Sequence, residues 1–353
     1  MFDIHTLTDR QFEELPLVIK GESKEVRYAG EGQVAIRFLP TIYSFTHNRC
    51  AEVPGSEVPR LRASLKFVEV LRAAGIRHAY LDGNDRFMLA QLVLPHQVEF
   101  AKYGLPPFVP NDLTAEQIAA LPKAPPIEVV VKNALTGTTK HGCIGLAGSR
   151  VRSSHPFYAG QLLEPDVALP EMLVRFDWRN PLKNEVAFQR IVWQAMDESH
   201  LMKISQVIRR HFPEFGFDGV SGNFFDDVIK TMARDVFGLD RVADTVLPEQ
   251  LANLFIDVHR ARRTAFIAAK TIEEFLGSKD IVFYDICLFI DESGEMLYGE
   301  VSPDCGRYRH LDLGELDKDV WRSGGSSADV IAKWHLLCKL MGIASYDKDG
   351  GES

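Results

Sequence analysis

The sequence predicts an α+β fold. Segments of alternating hydrophobicity, typical of strands, and amphipathic segments, typical of helices, do not follow one another in the regular order of a doubly wound sheet. The chain contains neither a G-x-G-x-x-G sequence after a strand nor a G-x-x-x-x-G-K-[ST] loop. Neither a dinucleotide-binding site nor a P-loop is therefore expected. A length of 353 residues suggests two domains, or one domain with insertions.

The first part of the chain is predicted to be rich in strands. In residues 32–39 every second side chain is apolar, which predicts a strand, and residues 59–75 have the apolar spacing of a helix. The sequence Ala124-Pro125-Pro126 stiffens the backbone in an extended form, as linkers often do. We therefore expect a β-rich, lid-like N-terminal domain at residues 1–125 and a central α+β domain at residues 126–353.

The second part is predicted to combine strands with a helical enlargement. Residues 127–132 are strongly β-forming, and residues 281–290 and 295–298 form a predicted β-hairpin. The stretch from about 190 to 275 has helical character, and a C-terminal helix is expected at residues 328–341.

Composition narrows the function. The formal net charge is −9 and the pI about 5.7, which argues against a general nucleic-acid binder. The sequence has no apolar run long enough to span a membrane and no N-terminal signal-peptide pattern. Five widely spaced cysteines without a C-x-x-C pair favour free thiols over a disulfide framework or a zinc site. A cytoplasmic protein is expected, and a homo-oligomer is left open.

The predicted hairpin is followed by the sequence GEVSPDCGR at residues 299–307. Pro303 cannot donate a backbone hydrogen bond, so the strand is expected to end there and the nearby side chains to extend from a loop. Glu300, Asp304 and Arg307 place two carboxylates and a guanidinium close together, which suits a polar, anionic ligand. The alternative is a solvated turn with an incidental ion pair.

Six segments in the same order resemble one enzyme family. The clearest are IEVVVKNALTGT at residues 127–138, GEVSPDCGR at 299–307 and DKDVWR at 317–322, and the others lie at residues 21–27, 53–57 and 180–185. Together they are similar to the motifs of phosphoribosylaminoimidazole-succinocarboxamide synthetase (SAICAR synthetase). The resemblance implies an α+β fold with an ATP-lid sheet domain, a larger central domain and a helical end. It also implies a reaction that joins aspartate to a carboxylated aminoimidazole ribonucleotide with ATP and magnesium.

The resemblance assigns the ribonucleotide site to residues that this chain retains. Lys132, Thr138 and Arg307 match residues that hold the 5′-phosphate, and Asp304 matches the acid that meets the aminoimidazole. The full set of substrate-binding positions expected here is Lys132, Asn133, Thr138, Ser302, Asp304 and Arg307. Cations and hydroxyl donors are the groups that bind a phosphate dianion. Without the resemblance, Lys132 would read as a lysine at a strand end that extends its amine to solvent.

The ATP and magnesium site departs from the family pattern. Of two lysines in the first loop, Lys24 remains, and Glu22 replaces the other with the opposite charge. In the hairpin, Cys287 replaces a lysine and Phe289 an acidic metal ligand, and Gly299 replaces another acid. Magnesium requires oxygen ligands, and phosphoryl transfer depends on the metal and cations. If the alignment is locally shifted, the missing carboxylates come instead from Asp291, Glu292 or Glu295.

The sequence therefore predicts a SAICAR synthetase-like enzyme whose small-molecule substrate is an aminoimidazole or purine-like ribonucleotide 5′-phosphate. Its reaction is an ATP-independent rearrangement or cyclisation in nucleoside-antibiotic biosynthesis, of the kind that leads to coformycin-like compounds. Asp304, Glu300 and His141 are the acid–base candidates, with Asp285 as a supporting carboxylate. One alternative is an ATP-dependent carboxylate–amine ligase, and another is a non-catalytic nucleotide-binding protein. Neither nucleic acid nor a membrane is expected as a partner.

Overall fold

The computed structural model describes residues 2–44, 49–136, 167–179, 246–247 and 249–343, together with Glu164, Lys203, Gln206 and Arg210. The strands are β1 (Leu17–Lys20), β2 (Lys24–Gly30), β3 (Gln33–Phe38), β4 (Thr41–Ser44), β5 (Arg49–Glu52), β6 (Arg77–His78), β7 (Tyr80–Gly83), β8 (Phe87–Gln91), β9 (Ile127–Ala134), β10 (Ala168–Trp178), β11 (Val246–Leu247), β12 (Ile281–Leu288), β13 (Met296–Leu297), β14 (Gly306–His310) and β15 (Gly314–Glu315). The helices are α1 (Asp9–Glu14), α2 (Glu57–Ala73), α3 (Gln97–Lys102), α4 (Ala115–Ala120), α5 (Glu249–Ala252), α6 (Val258–Gly277), α7 (Asp319–Arg322) and α8 (Ser327–Leu340).

The N-terminal part forms an antiparallel sheet of five strands in the order β1-β2-β3-β8-β7. Its central strand β3 is buried on both faces. Val34, Ile36 and Phe38 pack with Leu61 and Val68 of α2 in one apolar cluster. The neighbouring Ala35 belongs to a second cluster, in which the segment around α1 contributes the buried ring of Phe12. The alternation of side chains along the strand therefore serves two cores.

The second sheet has six antiparallel strands in the order β11-β10-β9-β12-β14-β15. Helix α6 packs against one face of this sheet with a stripe of small side chains that includes Ala261, Ala265 and Ala268, all fully buried. Small residues at this spacing let the helix axis approach the sheet closely. The helix begins at Asp257, whose carboxylate accepts a hydrogen bond from the Arg260 amide, as an N-cap does.

Helix α2 connects the two sheets. Its residues Leu61 and Val68 face the first sheet, whereas Ala63, Phe67 and Leu71 belong to the large core around α6. The short strand β6, which follows α2, pairs in parallel with β13. The loop after β13 is thereby attached to the N-terminal part of the chain. The expected domain boundary at residue 125 remains a prediction.

Most of the predicted elements lie where the sequence placed them. The structure confirms the strand within residues 32–39 and the strand at 127–132, and it forms the helices predicted at 59–75 and 328–341 with bounds Glu57–Ala73 and Ser327–Leu340. Of the helical enlargement, α5 and α6 are described, and nearly all of residues 190–245 lie outside the described part. Within the described ranges, no helix combines the length and hydrophobicity that crossing a bilayer requires.

Two local predictions are corrected. The second strand of the predicted hairpin is reduced to β13, which pairs mainly with β6, because only the single bridge Ile290–Leu297 joins it to the end of the first strand. The chain also forms a new strand sooner than expected after Pro303. Arg307 lies in β14, paired with β12, rather than in the loop.

Candidate active site

A row of charged side chains crosses three strands of the second sheet. Asp285 in β12 stands opposite Lys132 of β9 on one side and opposite Arg307 of β14 on the other. Its Oδ2 accepts hydrogen bonds from Lys132 Nζ at 2.5 Å and from Arg307 Nη1 at 2.6 Å. Lys132 is 153 positions and Arg307 is 22 positions from Asp285 in sequence, so the register of the strands brings the three residues together.

The row continues into helix α7. Arg307 Nε donates to Asp319 Oδ2 at 2.8 Å, and Arg322 Nη1 donates to the other oxygen of Asp319 at 2.5 Å. Burial would raise the pKa of Asp285, but the charges of Arg307 and Lys132 outweigh it and lower the pKa to about 2. The pKa of Asp319 is also lowered, because the charges of Arg307 and Arg322 exceed the effect of burial. We call these five residues, Lys132, Asp285, Arg307, Asp319 and Arg322, the cationic cluster.

The cationic cluster carries a net positive charge. Three cations face two carboxylates whose pKa values are lowered, which leaves one positive charge. The adjacent Asp317 has its pKa raised to about 7 by burial and by the charge of Asp319, so its carboxyl group is partly neutral near pH 7. A site with this balance suits a phosphate group.

Asn133 does not join the cationic cluster. Neighbouring residues of a strand point to opposite faces of the sheet, and Asn133 lies on the face covered by α6. Its side-chain amide donates to Glu273 Oε1 at 2.7 Å and to the Phe283 carbonyl at 3.1 Å. The geometry gives Asn133 a role in packing α6 on the sheet rather than in the ligand site where the sequence placed it.

Glu300 is the centre of a second buried cluster. Its carboxylate receives two hydrogen bonds from Arg60, with Nε at 2.9 Å and Nη2 at 2.8 Å. Lys24 Nζ donates at 2.7 Å, and the Ser302 hydroxyl donates to Oε1. Arg60 also donates to the carbonyls of Leu39 and Thr41. One carboxylate thus joins the first sheet, α2 and the loop before β14.

The environment of Glu300 suits a fixed negative charge. Burial would raise the pKa of this carboxyl group, but the charges of Arg60 and Lys24 outweigh it and lower the pKa well below its usual range. A carboxylate held this way does not exchange a proton readily near neutral pH. The geometry therefore favours a structural and electrostatic role for Glu300 over the acid–base role predicted from sequence.

Arg60 is a site residue that the sequence analysis missed. It is completely buried, and it lies on the side of α2 that also buries Ser64, Phe67 and Leu71. A charged residue within the apolar stripe of a helix is unusual, since an arginine that deep must have a partner. That anomaly was present in the sequence and could have identified Arg60 as the partner of a buried acid.

Asp304 lies beyond Glu300 in the same loop. Its carboxylate forms an ion pair with Lys318 Nζ at 3.3 Å, and its amide donates to the Ser302 hydroxyl at 3.1 Å. Lys318 precedes α7 and is a further residue that sequence reasoning passed over. Thr138 and His141, the remaining predicted site residues, lie outside the described part of the chain.

Glu300, Asp304 and Cys305 bring ligand atoms within 4.8 Å of one another. They do not fit a magnesium ion. Glu300 already binds two cationic side chains, which a metal would have to displace. Burial, together with the charges of Glu300 and Asp304, raises the pKa of the Cys305 thiol to about 12, and magnesium prefers oxygen ligands.

Phe289 and Gly299, which replace the two acidic metal ligands of the family pattern, are in contact with each other. A Cβ atom at Gly299 would lie 2.2 Å from Cδ2 and 2.8 Å from Cβ of Phe289, so the phenyl ring fills the space a side chain at 299 would need. The loop is fixed by His78, whose Nδ1 accepts from the Tyr80 amide and whose Nε2 donates to the Gly299 carbonyl at 3.0 Å. Burial lowers the pKa of His78 to about 3, so this imidazole is neutral.

Phe289 belongs to a wall of stacked side chains. The guanidinium of Arg179 lies 4.4 Å from the centre of the Phe289 ring and 6.0 Å from that of Tyr298. Arg179 also forms an ion pair with Glu99 at 3.7 Å. This arrangement is a cation–π contact closed on one side by a carboxylate. An arginine and two aromatic rings therefore stand beside the place where a metal site was expected.

This wall closes one side of a cavity of about 570 Å³. The lining also includes Val26, Val34 and Ile36 of the first sheet, together with Lys24. The volume lies within the range of small-molecule sites.

The alternative metal ligands suggested by a shifted alignment have other partners. Asp291 accepts hydrogen bonds within its own turn, Glu292 pairs with Lys123 and Glu295 pairs with Arg260.

Substituting Gly299 by alanine is expected to destabilise the protein by about 1–3 kcal/mol, because the new methyl group would overlap the Phe289 ring. In a Phe289→Ala background the same change should cost much less, since the overlapping atoms are gone. Urea unfolding of the two single variants and the double variant measures this coupling. Equal costs of Gly299→Ala in both backgrounds would show that the ring does not fill this space.

Comparison with known proteins identifies one curated relative by sequence and several solved structures by fold. No protein-family model matches the chain. The chain is 26% identical over 348 residues to bifunctional cordycepin biosynthesis cluster protein 3 of Cordyceps militaris, a match that covers 92% of this chain and 32% of that protein. The chain thus spans about a third of the length of this curated relative.

Solved structures give the fold. The SAICAR synthase of Ehrlichia chaffeensis matches 92% of this chain and 98% of its own with a TM-score of 0.56 at 14% identity. A SAICAR synthetase in complex with ADP matches 92% of this chain and 97% of its own with a TM-score of 0.54 at 16% identity. The SAICAR synthase from Saccharomyces cerevisiae, complexed with SAICAR, matches 96% of this chain and 98% of its own with a TM-score of 0.50 at 13% identity.

The chain is thus an α+β protein with a cavity of about 570 Å³ beside its N-terminal sheet. Its fold is that of the SAICAR synthetases, from which its sequence has diverged widely, and both the fold class and the resemblance predicted from the six segments are confirmed.

Proposed function

We propose that the chain is a repurposed SAICAR synthetase-like enzyme. It acts on an aminoimidazole or purine-like ribonucleotide 5′-phosphate, without ATP, in the biosynthesis of a modified nucleoside. Its relative is named as a protein of the cordycepin biosynthesis cluster, which supports the pathway class. The fold supports the substrate class, because structures of this fold include one complexed with SAICAR.

The observation that carries the proposal is the contact between Phe289 and Gly299. Both positions lack the side-chain oxygen that a magnesium ion requires, and the ring fills the space beside the glycine. Phosphoryl transfer from ATP depends on a positioned metal. A reaction that needs no phosphoryl transfer is therefore the better fit to this chain.

The cationic cluster supports binding of the 5′-phosphate. Lys132 and Arg307 lie on the same face of the sheet, and a planar guanidinium binds phosphate oxygens well. The phosphate would share these cations with Asp285 and Asp319, which the net positive charge of the cluster favours. In this proposal Thr138 remains a further phosphate ligand.

Proton transfer in the proposed reaction is assigned to Asp304, paired with Lys318 at 3.3 Å. A positioned carboxylate can act as a general base or acid, and the structure pairs Asp304 with the ammonium group of Lys318, whereas Glu300 binds both Arg60 and Lys24. Glu300, held as a carboxylate by Arg60 and Lys24, fixes the loop that carries Asp304. His141 remains a candidate for the second acid–base group.

The second candidate function is an ATP-dependent carboxylate–amine ligase. It is favoured by the related fold solved with ADP and by Lys24, which lines the cavity. In that case the nucleotide phosphates would have to bind without the two missing acids. A non-catalytic nucleotide-binding protein is the remaining alternative.

Calorimetric titration combined with a turnover assay separates these functions. We expect aminoimidazole carboxamide ribonucleotide to bind, its riboside without the phosphate to bind more weakly, and magnesium-ATP to have no effect on the conversion of a ribonucleotide substrate. Release of ADP coupled to amide formation would establish the ligase instead. Stoichiometric binding of ribonucleotides without any turnover across a panel of aminoimidazole and purine nucleotides would favour the non-catalytic protein.

A further inference from the structure

Among the described residues, the charged side chains that line the cavity beside the first sheet carry no net positive charge. Within the described part of the chain, its charged lining residues are Glu22, Lys24, Glu99 and Arg179. Lys24 binds Glu300 at 2.7 Å, and Arg179 binds Glu99 at 3.7 Å. The lining therefore offers no excess positive charge to a triphosphate, which carries several negative charges and is held in proteins by cations or a metal.

The walls of the cavity suit a flat apolar ring. The lining combines apolar side chains of the first sheet with Arg179 stacked on Phe289. Aromatic rings and guanidinium groups bind planar heterocycles through their faces. A cavity of about 570 Å³ is large enough for a nucleoside.

The cavity wall also contains an unsatisfied polar group. Tyr298 lines the cavity, and its phenol oxygen is buried with no hydrogen-bond partner among the described residues. A buried hydroxyl without a partner costs free energy, which a ligand that binds it would recover. Burial raises the pKa of Tyr298 to about 12, so the group is a donor near neutral pH. The neighbouring carboxylate of Glu99 is an acceptor.

We propose that this cavity binds an uncharged, planar nitrogen heterocycle without a phosphate chain, in the form of a nucleoside. The ring lies between the apolar sheet and the Arg179–Phe289 wall. Its edge presents a ring nitrogen to the hydroxyl of Tyr298 and an N–H group to Glu99. This inference deepens the proposed function. It rests on that function in one respect, which is that the cavity does not hold magnesium-ATP. It adds a second binding site, separate from the cationic cluster.

The test is calorimetric titration of the full chain with adenosine, with 5-aminoimidazole-4-carboxamide riboside and with magnesium-ATP. We expect at least one of the two nucleosides to bind, with a Kd at least tenfold lower than that of magnesium-ATP. Tyr298→Phe should weaken nucleoside binding roughly three- to tenfold, the effect of losing one hydrogen bond. Tyr284→Phe is the matched control, because Tyr284 lies in β12 under Arg309, outside the cavity lining.

Three results would overturn the inference. They are the failure of both nucleosides to bind, tighter binding of magnesium-ATP than of either nucleoside, and equal nucleoside affinity of Tyr298→Phe and the unmodified chain. The thermal melting temperature of each variant shows whether it is folded.

The Lys132→Met variant separates this inference from the proposed function. It should weaken ribonucleotide 5′-phosphate binding about ten- to a hundredfold but keep nucleoside binding unchanged. If the ribonucleotide binds equally well to the variant while nucleoside binding depends on Tyr298, the cavity site stands and the proposed phosphate site is wrong.

Discussion

Lys132→Met is expected to reduce the affinity for a ribonucleotide 5′-phosphate about ten- to a hundredfold. A hydrogen bond to a charged group contributes about 1.5–3 kcal/mol, and the substitution removes one such donor and the positive charge with it. It also leaves Asp285 with Arg307 as its remaining cation in the strand row, so that this carboxylate competes more strongly with the phosphate for the guanidinium. Titration with aminoimidazole carboxamide ribonucleotide measures the change.

Lys270→Met is the matched control for this prediction. Lys270 lies on the exposed surface of α6, where it pairs with Glu273 three residues away. The same chemical change there should leave ribonucleotide affinity within twofold, because a surface ion pair contributes little. If both lysine variants bind the ribonucleotide as the unmodified chain does, the cationic cluster is a structural ion network and not a phosphate site.

The fold was predictable from sequence because its strongest signals are local. The alternating strand at residues 32–39 and the apolar spacing of α2 follow from which side chains each element must bury. The pairing of β13 with β6 was not predictable in this way. Two-residue strands carry no periodicity, and the partner of β6 depends on where the end of α2 lies relative to the loop after β12.

The site was predictable in part. The resemblance to a family indicated Lys132, Asp304 and Arg307, but it could not show that Asp285 stands between two of them, since that follows from the register of three strands. It also could not distinguish Lys132 from Asn133, which point to opposite faces. The contact of Phe289 with Gly299 requires three-dimensional information, although each departure from the family pattern was visible alone.

Arg60→Met is expected to lower the free energy of unfolding by about 3–5 kcal/mol, the usual cost of removing one partner from a buried ion pair. The guanidinium is completely buried and binds Glu300 through two nitrogens. It also binds two carbonyl groups before and within β4, and these would lose their donor. Urea unfolding monitored by circular dichroism measures the loss.

Arg62→Met, two positions along α2, is the matched control. Arg62 binds Asp85, whose side chain is 61% exposed, so its removal should cost less than about 1 kcal/mol. Equal losses for the two variants would mean that the Glu300 cluster does not stabilise the fold more than a surface pair does.

The pH dependence of stability gives a second measurement of the same cluster. Because the folded pKa of Glu300 lies below its ordinary value of 4.5, the carboxylate contributes stability that is fully present above that value. The contribution is lost as the pH falls toward the lowered pKa. Removing Arg60 removes the largest of the charges that lower this pKa, so the acid unfolding midpoint of Arg60→Met should move to higher pH. Arg62→Met should move that midpoint less, because Arg62 lowers the pKa of Asp85 through a hydrogen bond that the surrounding water screens.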